Sequence, residues 1–210
     1  MSDFLLLSDI EEIVENISDV SNQFSGKTVL LTGGRGFLGR YFMQIFNTLN
    51  KQVLKEKVNV IVLDNLITSG KEGAEIPSYE NIEFLNHNVI EKFSSNEKID
   101  FIIHAAGIAS PYYYRAYPLE TLEVAINGTK NMLELAEQKS ARLTFFSSSE
   151  IYGDPDSKNI PTKESYKGNV SCIGPRACYD ESKRVGETLC NIFHNLKGVC
   201  TNTIRPFNVF

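Results

Sequence analysis

Lys27-Thr28-Val29-Leu30-Leu31-Thr32-Gly33-Gly34-Arg35-Gly36-Phe37-Leu38-Gly39 runs from a short apolar segment straight into glycines at 33, 36 and 39, and a helical pattern follows to about Leu49. Such a loop needs glycine for three reasons: a tight turn, close backbone approach to a pyrophosphate, and close packing of helix on strand. The helix start then offers unpaired N–H groups and a partial positive charge to phosphates. A glycine triplet alone is weak evidence. It gains meaning from the next strand, Val58 to Leu63, which ends at Asp64. A carboxylate there can accept hydrogen bonds from both hydroxyls of an adenosine ribose and repels a 2′-phosphate, so the pattern favours NAD over NADP. The bland alternative is a turn acid opening Asp64-Asn65. Arg35, inside the loop, pulls the other way if it meets a 2′-phosphate, but it can equally meet the pyrophosphate.

Outward from this unit the rhythm repeats. Asn81 to Leu85, Phe101 to His104, Leu143 to Phe146 and Val199 to Ile204 read as further strands. Leu119 to about Lys139 reads as one long helix with Leu122, Ile126, Leu133 and Ala136 on one side, and Tyr179 to Leu196 as another. Apolar strands alternating with helices predict an α/β fold, a Rossmann-type doubly wound parallel sheet covered on both faces. Residues 3–20 suggest a short helix, capped by Ser8 or Asp9, whose stripe Ile10, Ile13, Val14 and Ile17 packs on the domain edge. Ser21 to Gly26 reads as a linker. The expected organisation is a helical extension and linker over 1–25 and a dinucleotide-binding domain over 26–210.

Composition narrows the partners. The net charge is −5, from 21 basic and 26 acidic residues, without a basic cluster, which argues against nucleic acid and anionic membranes. No apolar run approaches membrane-spanning length, and Leu5-Leu6-Leu7 is too short for a signal peptide. The four cysteines, Cys172, Cys178, Cys190 and Cys200, show no metal-ligand spacing, and reduced thiols in a cytoplasmic protein are expected. No metal site is expected.

The chemistry sits late in the chain. In Ile173-Gly174-Pro175-Arg176-Ala177-Cys178-Tyr179-Asp180-Glu181-Ser182-Lys183, Tyr179 and Lys183 fall one helical turn apart, on one face. A positive charge beside a phenol favours the phenolate and makes a base. Bringing tyrosine from about 10 to roughly 7 needs about 4 kcal/mol of differential stabilisation. Chance spacing on a helix is the bland reading. The fifth strand delivers Ser147-Ser148-Ser149-Glu150-Ile151-Tyr152-Gly153 to the carboxyl edge of the sheet, where open α/β sheets bind ligands. A serine hydroxyl there can hold the oxygen on which the tyrosine works, or can simply end a strand.

Together these residues resemble the extended short-chain dehydrogenase/reductase superfamily, through Thr32-Gly33-Gly34-Arg35-Gly36-Phe37-Leu38-Gly39, Asp64, His104-Ala105-Ala106, Ser148 before Glu150 and Tyr152-Gly153, and the Tyr179–Lys183 pair. Within it, Ala109-Ser110-Pro111, Tyr166-Lys167-Gly168-Asn169-Val170, Ser149 to Pro155 and Gly174 to Arg184 look like the UDP-glucuronate decarboxylases. The resemblance implies NAD contacts at Gly33, Gly36, Phe37, Leu38 and Gly39, at Asp64, Asn65, Asn88 and Val89, and at Ala105, Ala106, Tyr179 and Lys183. It implies a UDP-sugar substrate touched by Ser149 and Asn208. Tyr179 would take the proton of the sugar C4 hydroxyl, Lys183 would lower the tyrosine pKa and hold the nicotinamide ribose, and Ser148 would align the C4 oxygen. Glu150 matches the family's acid near C5 and C6. Ser149 stands where 4,6-dehydratases carry Asp, and Glu150 where simple 4-epimerases lack an acid.

Three features depart from the pattern. Asn88 replaces an aspartate that contacts the adenine, Gly107-Ile108 loosens the segment after His104, and Arg205-Pro206-Phe207-Asn208-Val209-Phe210 looks like the opening of a segment that relatives continue into a substrate domain. A truncated substrate domain is therefore expected. The superfamily commonly pairs the helix after the fourth strand and the Tyr–Lys helix with their mates, so the resemblance also implies a homodimer.

Overall fold

The computed structural model describes residues 6–68 and 78–209, so residues 3–5 of the expected first helix and Phe210 lie outside the described residues. Strands β1 (Thr28–Thr32), β2 (Asn59–Asp64), β3 (Ile82–Asn86), β4 (Phe101–His104), β5 (Arg142–Phe146) and β6 (Thr201–Ile204) form one sheet in the order β3-β2-β1-β4-β5-β6. Every pairing is parallel. The chain walks outward from β1 to β3, then crosses back and walks the other way from β4. That reversal opens a crevice between the carboxyl ends of β1 and β4, where doubly wound sheets bind their ligands. The expected Rossmann-type sheet is what forms.

Helices α1 (Leu7–Asn16), α2 (Ser18–Ser21), α3 (Phe37–Gln52), α4 (Pro111–Ala116), α5 (Pro118–Glu123), α6 (Thr129–Lys139) and α7 (Ala177–Lys197) cover the sheet. Alternate residues of β1 point to opposite faces. Leu30 joins Ile102, Leu143, Met132, Leu133 and Cys190 in one buried cluster, under α6 and α7. Val29 and Leu31 join Val60, Val62, Met43 and Leu49 in another, under α3. All five residues of β1 are buried, as a strand central to the sheet requires. Each such side chain contributes roughly 1.5–3 kcal/mol by leaving water. The edge strand β6 reads Thr-Asn-Thr-Ile and is largely exposed.

Several local expectations are corrected. No side chain caps α1: Leu6 holds the cap position, and Asp9 instead accepts a hydrogen bond from the Tyr41 hydroxyl at 3.2 Å. The helix is positioned by packing, with Ile10 and Val14 buried in the cluster under α3. The supposed linker after it begins with the fully buried Ser21 and forms a 3-10 turn over Asn22–Phe24. The long helix is not regular either. It begins at Pro118, and a π-helical turn over Val124–Gly128 separates α5 from α6. Gly128 there lies against Val89, where a Cβ would come within 2.9 Å of the valine side chain. The short helix α4, opened by Pro111 at a first-turn position, has no period long enough to betray it in the sequence.

Gly186 sets the height of α7 over the sheet. A Cβ at that position would run into the Phe145 ring, so glycine lets the helix settle onto β5. Lys183 and Tyr179, one and two turns earlier, are buried on that same face.

Candidate active site

The site forms at the carboxyl ends of β1, β2, β4 and β5. β1 turns at Gly33, whose φ of +75° suits glycine and whose N–H donates to the Leu63 carbonyl at 2.8 Å. A Cβ on Gly33 would come within 2.8 Å of the Ala106 backbone. The glycine loop is thus pressed against Ala105-Ala106 at the end of β4. Gly36 opens α3, whose first-turn N–H groups face the loop. Asp64 is pinned at both oxygens: Oδ2 accepts from the Arg35 N–H and Oδ1 from the Leu66 N–H, each at 2.8 Å.

A pocket of about 100 Å³ lies beside this carboxylate, lined by Asn65, Asn88, Val89, Ala105 and Ala106 among others. The Asn88 Oδ1 accepts from the Ile90 N–H at 3.3 Å. Past Gly33 and Gly36 the pocket meets a wider cleft of about 740 Å³. Phe37, Leu38 and Gly39 line it on one side, and Ser148, Ser149, Glu150, Tyr179, Lys183 and Asn208 on the other. Arg35 lines the cleft rather than the pocket beside Asp64, on the side suited to a pyrophosphate. These residues fit a dinucleotide: a glycine turn without room for side chains, a helix start for phosphates and a fixed acid for a ribose. Among the described residues, no three His, Cys, Asp or Glu side chains gather to hold a metal ion.

Tyr179 is buried, hydrogen-bonded to Ser148, and stacked on Tyr114 with ring centroids 5.3 Å apart and planes at 11°. Lys183 donates to the Phe146 carbonyl at 2.8 Å, and its ammonium lies 5.7 Å from the centre of the Tyr179 ring. Sequence reasoning expects the lysine to depress the phenol's pKa; in this structure the phenol is raised instead. Burial is the main cause, the Ser148 hydrogen bond opposes it, and Asp180 and Tyr114 add to it. Lys183 is itself lowered to about 8 by burial, and its proton is committed to a backbone carbonyl.

Behind these groups, His104 is fully enclosed. Burial and the nearby Lys183 charge lower it to about 3, so the ring is neutral. Thr32 accepts from the Ala106 N–H at 3.1 Å and lies 2.7 Å from His104 Nδ1, while Nε2 meets Thr129 at 3.1 Å. This chain of bonds fixes the Ala105-Ala106 wall of the pocket. On the other side, Ser149 donates its N–H to the Pro206 carbonyl at 2.9 Å, and Glu150 forms an ion pair with Arg176.

The sequence model of the NAD dependent epimerase/dehydratase family matches residues 29–210. The chain belongs to that family. Zebrafish (Danio rerio) UDP-glucuronic acid decarboxylase 1 is 42% identical over 185 residues, covering 88% of this chain and 42% of that protein. Arabidopsis thaliana UDP-glucuronic acid decarboxylase 6 is 39% identical over 187 residues, covering 89% of this chain and 52% of that protein. The chain thus spans about half the length of the curated relatives it matches. Among solved structures, the epimerase Mth375 of Methanothermobacter thermautotrophicus superposes with a TM-score of 0.77 at 33% identity, over 94% of this chain and 56% of that one.

For a member of this NAD-dependent family, the structure adds residues that the sequence reading left without a role. Arg176 stands inside a quoted motif and Tyr114 just past the Ala109-Ser110-Pro111 segment, yet no spacing rule links them to Glu150 or Tyr179. Glu187 and Arg205 are a second case. Arg205 holds Glu187 through two hydrogen bonds, of 2.9 and 2.7 Å, and Ser147 donates to the same carboxylate at 2.6 Å. The one signal available was an arginine after the last strand, facing an acid one turn beyond Lys183.

Proposed function

We propose that this chain carries the cofactor and acid–base half of a sugar-nucleotide enzyme, and that its reaction is decarboxylation of UDP-glucuronate. The observation that carries the reading is the convergence of Ser148, Glu150, Tyr179 and Lys183 on the cleft that continues from the glycine loop. The names of the relatives point the same way. NAD, when bound, supplies an acceptor for the C4 hydride and later returns it. Tyr179 takes the proton of the C4 hydroxyl, Ser148 holds that oxygen, and Lys183 holds the ribose and the local positive charge. With C4 a ketone, the sugar is a β-keto acid: the bond from C5 to the carboxyl breaks, carbon dioxide leaves and the electron pair passes to the C4 carbonyl. C5 then takes a proton from solvent, which restores the C4 ketone, and as C4 regains its hydride Tyr179 returns its own proton to the C4 oxygen. The cycle is redox-neutral.

A 4-epimerase is the second reading, favoured by the likeness to Mth375. Incubating a version of the protein that spans the full length of its relatives with NAD and UDP-glucuronate and resolving the products tests both. UDP-xylose with carbon dioxide is expected; UDP-galacturonate alone would replace decarboxylation with epimerisation, and no product with NAD bound would overturn the substrate assignment.

The same reading includes a homodimer through α5, α6 and α7. Leu119 and Ile126, and Ile192 and Leu196 on α7, expose apolar side chains that a second copy would cover. A monomeric mass by light scattering at micromolar concentration would contradict it. We place the protein in the cytoplasm, in keeping with four free cysteines. Among the described residues no helix is long and apolar enough to cross a membrane.

A further inference from the structure

Arg176 stands at the sugar end of the cleft and is shared between two acids. Its Nη2 pairs with Glu150 and lies 3.6 Å from Asp180 Oδ1. Asp180 is nine-tenths buried, and its Oδ1 accepts no hydrogen bond. A buried carboxylate oxygen without a donor is costly unless a cation stays beside it. Asp180 lies behind Arg176, away from the cleft, whereas Glu150 and Arg176 both line it.

Among the described residues, the other cations that line the cleft, Lys183, Arg35 and Arg40, are held elsewhere. Lys183 is buried and donates to Phe146, and Arg35 is buried at the glycine loop. Arg40 donates to the Arg35 carbonyl at 3.1 Å, also at the phosphate end. The Arg176 side chain is half exposed and adjoins Tyr179 in the cleft lining. A guanidinium has five donors in a planar fork and can meet more than one carboxylate at once. A sugar acid placed over Tyr179 and Ser148 would bring its own carboxylate beside Glu150, and two like charges there repel unless a cation bridges them.

We propose that Arg176, seated on Asp180, binds the carboxylate of an acidic sugar nucleotide and so sets the choice between sugar acids and neutral sugars. The inference rests on the sugar-nucleotide reading above and adds to it a specificity residue. Asp180 holds the guanidinium from behind, Glu150 flanks it, and the free edge of the fork faces the cleft. A neutral hexose has nothing to offer that edge and leaves the arginine on Glu150.

The test compares binding of UDP-glucuronate and UDP-glucose, by titration calorimetry, to the NAD-loaded protein in a version that spans the full length of its relatives. Arg176→Met is expected to weaken UDP-glucuronate at least tenfold while changing UDP-glucose less than twofold, with NAD affinity unchanged. Asp180→Asn is expected to erode the same preference severalfold, and it carries the test if Arg176→Met fails to bind NAD and so fails to fold. Parallel loss for both sugars in either folded variant, or an unchanged preference, overturns the role of Arg176 and leaves the sugar-nucleotide reading standing. A wild-type protein that holds NAD but binds neither sugar nucleotide removes that reading, and the inference with it.

Discussion

The ring of Tyr114 lies flat on the ring of Tyr179, 5.3 Å away and within 11° of parallel. The contact keeps the reactive phenol in one orientation and dry, and dryness works against its ionisation. Ser148 works in the opposite sense, since its hydrogen bond favours the phenolate. Replacing each partner should therefore move the acid limb of the pH–rate profile in opposite directions. Tyr114→Ala admits water, lowers the tyrosine pKa and shifts the limb to lower pH, with kcat reduced roughly tenfold by lost orientation. Ser148→Ala raises that pKa, shifts the limb to higher pH and costs about 10²-fold in kcat. Shifts in the same direction would refute this account of the base.

Lys183 offers a test that needs no substrate. Burial lowers it to about 8, whereas in the unfolded chain a lysine titrates near 10.4. Below pH 8 the ammonium is charged in both states, and the folded state bears the cost of burying it. Between about 8 and 10.4 the unfolded chain binds more protons, so this cost is relieved and stability rises with pH. The relief amounts to about 3 kcal/mol as an upper figure. Urea midpoints of wild type and Lys183→Met across that range should converge or cross in favour of wild type. Parallel curves would mean that Lys183 is not buried as a cation.

How much of this was legible in the sequence depends on whether an element is set by local rules. The turn at Gly33, the buried run of β1 and the acid at Asp64 obey backbone and periodicity rules acting within a few residues, so both fold and cofactor side can be read. The pairing of Tyr179 with Lys183 is legible for the same reason, a fixed helical spacing. The direction of the tyrosine's pKa is not, because it depends on burial under Tyr114, which arrives from another element. Arg176 and Glu150, and Glu187 and Arg205, meet only through tertiary packing of α7 on β5 and β6. The π turn at Val124–Gly128 adds a residue to a turn and shifts the register, so Ile126, which a 3.6-residue pattern puts on one stripe with Leu133 and Ala136, is exposed while those two are buried.

The Glu187–Arg205 pair should act as a clasp between α7 and the end of β6. Burial raises the Glu187 carboxyl, but hydrogen bonds from Arg205 and Ser147 more than offset it and leave the pKa below the usual value. A lowered acid stabilises the fold above its unfolded pKa, near 4.3, and that contribution is lost as pH falls through the folded value. Removing either partner leaves the other charge partly buried, and both are partly exposed, so about 2–3 kcal/mol is the expected cost of Glu187→Ala or Arg205→Ala. The double variant should cost much less than the sum of the two single ones in urea denaturation. Additive losses would show that the two residues stabilise the fold independently.

Asp64 bears on cofactor choice. Its oxygens are held by the N–H groups of Arg35 and Leu66, so the carboxylate cannot swing away from an incoming 2′-phosphate. At about 4 Å, two unit charges in a partly solvated site repel by roughly 4 kcal/mol. NAD should therefore bind far more tightly than NADP. Asp64→Ala removes both the ribose acceptor and the repulsion, while leaving two backbone N–H groups that a phosphate can use. The variant is expected to lose about tenfold or more in NAD affinity and to gain in NADP affinity, measured by calorimetry or by quenching of tyrosine fluorescence. An unchanged NAD to NADP ratio would move the specificity away from Asp64, and Arg35 would then be the next residue to replace.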